Sequence, residues 1–521
     1  MRWPWTIAAA LTALSGPAAA APWFEARSDH FIIYAPGKAA SAQDYATRLE
    51  RFDKGMRVMR GLPDRPSDRD NPLYVYVLPD AAAVEQLCKS GNRRNAASCA
   101  NVAGFYEPRA SGSVAFTPRR SGEGSVYDLS AQTVLFHEYT HHFMYANYSA
   151  AYPGWFTEGF AEFNGTARFE KDGGIGFGIP AMHRAYGLMN SNALSLEAML
   201  TADNRKLSAE QREGLYGRGW LLTHYLTFAP LGKPSVRKNQ LSEYLAALNA
   251  GTPSLAAAKA AFGDLKTLDR DVERYLMRGT LSYLPIAKDK LPIGPITVRA
   301  LTPGEAAMMP SRMRSERGVD RPTAEKLVID ARKAAAPFPN DPGAQTWLAE
   351  AEYDAGRDDL ADAAVDRALA ADPKAVGAML YKGMIHLRRA AEAKTADASL
   401  WREARSWFVK ANRLQPDAAE PLMLFYDSFL AAGLPPTANA VVGLKQAFDL
   451  APQDIGLRFR VAREYLREGD RKLARLALAP LAYDPHRGPD NPAAKLIARI
   501  DTADDTALAA IAEKPDDDDS D

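Results

Sequence analysis

Val134-Leu135-Phe136-His137-Glu138-Tyr139-Thr140-His141-His142-Phe143 places two histidines four residues apart, with a glutamate directly after the first. On an α-helix, residues four apart differ by about 40° of rotation, so His137 and His141 point the same way. Two imidazoles on one helical face can bind one zinc ion. Glu138 then sits where it can take a proton from a zinc-bound water and pass it to a leaving amine. The flanks are apolar, as a buried helix needs. His142 is turned by about 100° from His141 and reads as surface or as a neighbour of the site, not a ligand. His30, His183, His386 and His486 stand alone and read as packing or surface residues.

A carboxylate follows where a third donor is required. Glu158 comes seventeen residues after His141, in Gly154-Trp155-Phe156-Thr157-Glu158-Gly159-Phe160-Ala161-Glu162-Phe163. Two histidines and one carboxylate leave a fourth position for water, the pattern of a catalytic zinc site with one ion per chain. Glu162 falls one turn later on the same face. It is expected to accept the free ring N–H of a ligand histidine, His137 before His141, and so to fix its tautomer. A solvated helix residue is the plainer alternative for Glu162, and an amphipathic helix with coincidental histidines is the plainer alternative for the motif.

Working outward, His30-Phe31-Ile32-Ile33-Tyr34 and Leu73-Tyr74-Val75-Tyr76-Val77-Leu78 read as strands, with a helix from about Ala42 to Arg60 between them. Phe105-Tyr106 and Ser113-Val114-Ala115-Phe116 read as short strands around a turn, so a small mixed sheet precedes the motif. From Leu129 the pattern turns helical: Leu129 to Tyr148, Trp155 to Phe163, then about Leu207 to Thr227, Val236 to Leu248, Ser254 to Phe262 and Leu268 to Met277. Pro285, Pro292, Pro295, Pro303, Pro310 and Pro322 crowd residues 284–322, which reads as a linker at a domain boundary. One stretch there, Ile296-Thr297-Val298, still suits a strand. Beyond it Pro342, Pro373, Pro416, Pro452 and Pro485 recur at intervals of 31 to 43 residues. Ala361, Val365 and Ala368 form the inner face of the helix before Pro373. Asp516-Asp517-Asp518-Asp519 is a like-charge run expected to be disordered.

These segments resemble two families. His-Glu-x-x-His followed by Trp155-x-x-Glu158-Gly159-Phe160-Ala161-Glu162 resembles the gluzincins, the thermolysin-like and aminopeptidase-like zinc peptidases. That resemblance implies His137, His141 and Glu158 as zinc ligands and Glu138 as general base. Tyr216-Gly217-Arg218-Gly219-Trp220 looks like the Tyr-x-Lys-Gly-Ala segment of the aminopeptidase branch. It implies Tyr216 as the donor to the oxyanion, with His224 and plain core packing as alternatives. The aminopeptidase branch also carries Gly-x-Met-Glu-Asn on a strand before the zinc helix, where its glutamate holds the substrate's amine. The corresponding strand here, Ser111 to Phe116, has no carboxylate. Endopeptidase action is therefore expected over exopeptidase action, with an edge strand there pairing an extended peptide through its backbone. The proline-marked stretch resembles the tetratricopeptide repeat, whose period is about 34 residues. Trp347-Leu348-Ala349, Tyr353 and Gly356 fit the first helix of one repeat, and about four repeats are expected. Such repeats present a concave surface that binds a peptide or protein.

The expected fold class is an α+β zincin-like peptidase domain, a small mixed sheet plus active-site helices, followed by an all-α tetratricopeptide-repeat solenoid. The segments are a signal peptide at 1–21, the gluzincin-like domain at 22–283, the proline-rich linker at 284–322, the repeats at 323–490, and a C-terminal helix with the acidic tail at 491–521. At the start, Arg2, the apolar run from Thr6 to Leu14, the Gly16-Pro17 break and Ala18 to Ala21 form a secretory signal pattern. The run is too short to span a bilayer, and no later stretch is long and apolar enough. Export leads Cys88 and Cys99, the only cysteines, to be expected as a disulfide. The location is periplasmic in a Gram-negative host and otherwise secreted. Lys plus Arg and Asp plus Glu both number 64, so charge gives no reason to expect nucleic acid as a partner. The expected function is an exported zinc peptidase that cleaves peptide or protein substrates, with a further protein partner on the repeats. The alternatives are a repeat-based interaction scaffold carrying an inactive zinc domain, and a zinc hydrolase acting on another amide such as a cell-wall peptide link.

Overall fold

The structure is a computed structural model that describes residues 21–65, 69–91, 99, 102–121, 124–189, 194–394, 397–484, 488 and 490–513. The signal stretch up to residue 20, most of the loop between the two cysteines and the acidic tail lie outside the described residues.

The strands are β1 (Trp23–Arg27), β2 (Phe31–Pro36), β3 (Leu73–Leu78), β4 (Phe105–Glu107), β5 (Val114–Pro118), β6 (Arg168–Phe169), β7 (Ile175–Phe177), β8 (Leu284–Ile286) and β9 (Thr297–Ala300). Six of them form one mixed sheet in the order β4-β5-β3-β2-β1-β9. Its centre, β2, β3 and β5, is parallel, and β4, β1 and β9 run antiparallel to their neighbours. The strand alternation sorts the side chains into two apolar faces. Phe31, Ile33, Val75, Val77 and Ala115 face one core, while Ile32, Tyr34, Tyr76, Leu78, Val114 and Phe116 face another. A sheet buried on both faces needs helices on both.

The first face is covered by α1 (Ala39–Arg60), and the second by α2 (Ala81–Lys89). The chain continues through α3 (Ala131–Asn147), α4 (Gly154–Gly165), α5 (Ala185–Met189), α6 (Leu196–Leu200), α7 (Ala209–Phe228), α8 (Gln240–Asn249), α9 (Ser254–Phe262) and α10 (Leu265–Leu276). Helix α3 joins α1 under the sheet, where Phe52 and Phe136 stack with centroids 3.9 Å apart and the Tyr139 hydroxyl donates to Asp53.

Residues 284–322 are not the bare linker that their prolines suggest. Strand β8 pairs with β7 in a small second sheet, and β9 closes the large sheet against β1. A helix, α11 (Pro303–Glu316), follows directly. The prolines sit where the backbone tolerates them: Pro285 on an edge strand, Pro303 and Pro322 in first helical turns, where no N–H partner is needed. Only Pro310 is inside a helix.

From α11 onward the chain is helical hairpins: α12 (Arg321–Ala335), α13 (Pro342–Asp354), α14 (Asp358–Ala371), α15 (Val376–Glu392), α16 (Ala398–Leu414), α17 (Ala419–Ala431), α18 (Ala438–Leu450), α19 (Ile455–Arg467), α20 (Arg471–Ala482), α21 (Pro492–Thr502) and α22 (Asp505–Glu513). A residue with positive φ marks the turn of each hairpin from α11–α12 to α19–α20: Gly318, Gly356, Lys394, Gly433 and Gly469. These marks stand 36 to 39 residues apart. Among the described residues they give five hairpins where about four repeats were expected, because the first begins inside the proline-rich stretch.

The array lies against the sheet domain along its length. Met309 and Trp347 pack onto the sheet's second face, Trp347 edge-on to Tyr34 at 6.3 Å. Asn71 donates to the Asp417 carbonyl at 2.6 Å and accepts from the Ala419 N–H at 2.9 Å. Farther on, Asp454 accepts from the Ala110 N–H, and Arg458 donates to the Tyr145 carbonyl at the end of α3.

Candidate metal centre

Helix α3 begins at Ser130, whose side chain accepts from the Thr133 N–H. Phe136, Tyr139, Thr140 and Phe143 turn inward and are buried. That fixes His137, Glu138 and His141 on the opposite side, by the 3.6-residue period alone. Helix α4 is buried throughout from Trp155 to Gly165 and carries Glu158 and Glu162 one turn apart. It lies between α3 and α7. A Cβ on Gly165 would come 3.3 Å from His137 Cβ, and a Cβ on Gly159 would come 2.3 Å from the Gly219 carbonyl oxygen. At Gly159 only glycine lets the two backbones approach so closely, and at Gly165 any side chain would be a tight fit.

The three predicted donors converge. His137 Nε2 lies 3.1 Å from His141 Nε2, and Glu158 Oε2 lies 3.4 Å and 3.7 Å from the two rings. Tetrahedral zinc with bonds of about 2.0 to 2.1 Å spaces its donors about 3.3 Å apart. The observed separations bracket that value, so the donor set fits the ion in both chemistry and spacing. The rings retain some exposure, 13% and 12%, while Glu158 has none.

Glu162 approaches His137 from the other side, with Oε1 3.2 Å from Nδ1. Burial works against a proton on His137, but Glu158 and Glu162 outweigh it and push the ring up to about 10. Burial also opposes charge on Glu162, yet Arg184, His137 and His183 hold it well below the usual carboxylate range. His183 Nε2 is 2.8 Å from Glu162 Oε2, and Arg184 donates to Oε1 at 2.7 Å. His183, read from the sequence as isolated, thus stands beside the site. Neither it nor Arg184 carries a spacing signal, because a loop and a small sheet separate them from α4.

Tyr216, on α7, lies with its ring 6.0 Å from that of His137. Burial, with Glu158 nearby, holds its hydroxyl well above the ordinary value, so it remains an O–H donor. His224 does not share this position. Both its nitrogens are engaged in the core, Nε2 at 3.0 Å from the Gly178 and Ser282 carbonyls and Nδ1 with the Tyr275 hydroxyl. Burial lowers its pKa to about 4. His142 faces away from the donors, 2.9 Å from the Tyr106 hydroxyl, and burial lowers it to about 3.

The strand over the site also differs from expectation. Ser113–Phe116 is not an edge: β5 lies between β3 and β4, and among the described residues β4 is the outermost strand on that side. Gly104, just before β4, lies so close to α3 that a Cβ there would meet Val134 at 2.3 Å and Glu138 Cγ at 3.6 Å. Strand β4 does carry a carboxylate, Glu107. It shares a face with Phe105, on the side away from α3, and Arg317 binds it at 3.0 Å. Arg317 also donates to the Cys88 carbonyl, beside the Cys88–Cys99 disulfide.

No family model and no curated protein matches the chain. Among solved structures it is similar to a thermophilic TPR protein of Thermus thermophilus, at 20% identity over 35% of this chain and 92% of that one, with a TM-score of 0.30.

Proposed function

We propose that the chain is an exported zinc-dependent peptidase of the gluzincin kind, acting as an endopeptidase, with tetratricopeptide-like repeats behind it. The observation that carries this reading is the convergence of His137, His141 and Glu158 beside Glu138. When bound, zinc supplies the Lewis acid that polarises a carbonyl and makes water acidic. The remaining work falls to the chain. Glu138 takes the proton of the attacking water and hands it to the leaving amine. The Tyr216 hydroxyl donates to the carbonyl oxygen as its negative charge develops. Strand β4, outermost on its side of the sheet among the described residues, offers its backbone edge to an extended peptide. Glu107, the carboxylate of that strand, lies on the face away from α3 and is held by Arg317, which favours internal cleavage. The disulfide supports export.

Zinc content of the purified protein, beside that of His141→Ala, tests the reading. About one zinc per chain, lost in the variant, is expected. Absence of zinc from both, after zinc is supplied at neutral pH, would sink the enzyme. The array as a protein-interaction scaffold would then be the function.

A further inference from the structure

Glu162 is 1% exposed and has three partners, two of which come from the Met182–Arg184 turn. Its Oε1 is shared between His137 Nδ1 at 3.2 Å and Arg184 Nη2 at 2.7 Å. Arg184 does more than pair with Glu162. Its Nη1 donates to Glu213 on α7 at 2.9 Å, and its Cζ lies 4.6 Å over the ring of Tyr216, one turn along. One guanidinium therefore touches both the carboxylate behind a metal-donor histidine and the tyrosine facing the same site.

We propose that Arg184 is a positioning residue that couples metal affinity to the placement of Tyr216, an inference that rests on the zinc reading above. With Nη1 on Glu213, the planar fork holds Nη2 on Glu162 Oε1, so that Oε1 faces His137 Nδ1. The ring then keeps its proton on Nδ1 and leaves the Nε2 lone pair for the metal. The same flat cation stacks on Tyr216 and limits its swing. A lysine can supply the charge but not the fork or the stacking surface.

Arg184→Met and Arg184→Lys in the full chain test this. Zinc affinity is read by competition with a chelating dye, and the cobalt(II)-substituted protein reports donor geometry through its visible bands. Arg184→Met is expected to weaken zinc by about 10- to 100-fold and to shift the cobalt bands, with Arg184→Lys between it and the parent. Where peptide turnover is followed, kcat falls more than KM rises, because Tyr216 acts on the developing charge. Zinc affinity within about twofold of the parent and unchanged cobalt bands in Arg184→Met would overturn the proposal, even if its melting temperature fell. Should that variant not fold, parental affinity in Arg184→Lys would overturn it equally. A parent that binds no zinc overturns the metal reading itself, and so is told apart from failure of Arg184 alone.

Discussion

Helix α4 of the candidate metal centre and helix α14 of the hairpin array use polar residues in opposite ways. In α4 the carboxylates point inward: Glu158 and Glu162 are 0% and 1% exposed, each aimed at a histidine of α3. Along α14 the inward positions are Ala361, Ala364, Val365 and Ala368. The acids of that helix instead bridge to the next, Lys382 to Asp362 and Asp366, and Arg389 to Asp359 and Asp362. A hairpin repeat needs small residues inside and a turn at a fixed place, and it tolerates a lapse such as Lys394 where its neighbours have glycine. A metal centre tolerates none, since each donor occurs once. Substitutions of the partly exposed donor histidines and of the base at the centre should thus show first in function, and substitutions of the small inward residues of α14 first in stability.

The largest expected effect is at Glu138. Glu138→Gln should lower turnover by about 100- to 10,000-fold while zinc stays bound, because it removes the base and no ligand. Glu158→Ala should instead lose the metal. Zinc content measured beside turnover separates the two, and parental turnover in Glu138→Gln would end the mechanism. Smaller is the effect at the seam. Asn71→Ala removes both hydrogen bonds to the start of α17 and should cost about 1 to 2 kcal/mol in urea unfolding, with turnover unchanged. If turnover fell as far as in Glu138→Gln, the array would be completing the site rather than bracing the sheet.

The smallest effect is a pH dependence. His30 Nδ1 lies 2.8 Å from Glu50 Oε2. Burial opposes its charge, but Glu50 and Asp53 outweigh this and lift it to about 9. A raised histidine contributes stability fully below its unfolded value of about 6.5, and the contribution fades as pH rises to about 9. The stability difference between parent and His30→Gln should shrink across that window. A difference that stayed flat would remove the ion pair from the account.

What the sequence discloses here is whatever a helix repeats. His137 with His141, and Glu158 with Glu162, are each four apart, so one helical period puts both pairs on single faces. Nothing periodic joins Glu162 to Arg184 or β1 to β9, and those meetings depend on the tertiary path. The prolines of residues 284–322 misled for a related reason: their count suggests breakage, while their positions, at first turns and on an edge, permit strand and helix. That His224 is engaged in the core while Tyr216 stands beside His137 depends on tertiary contacts that spacing does not encode.

The crossing of α4 and α7 at Gly159 and Gly219 sets a limit on how this centre can change. A Cβ on Gly219 would come 2.7 Å from the Trp155 carbonyl oxygen, just as one on Gly159 would strike Gly219. Main chain rests on main chain there, with no side chain between to be trimmed or swollen. The offset from Glu158 to Tyr216 is thus a fixed gauge. If the centre is to be reshaped, the change has to come from the β4 side, since the α7 side has no slack to give.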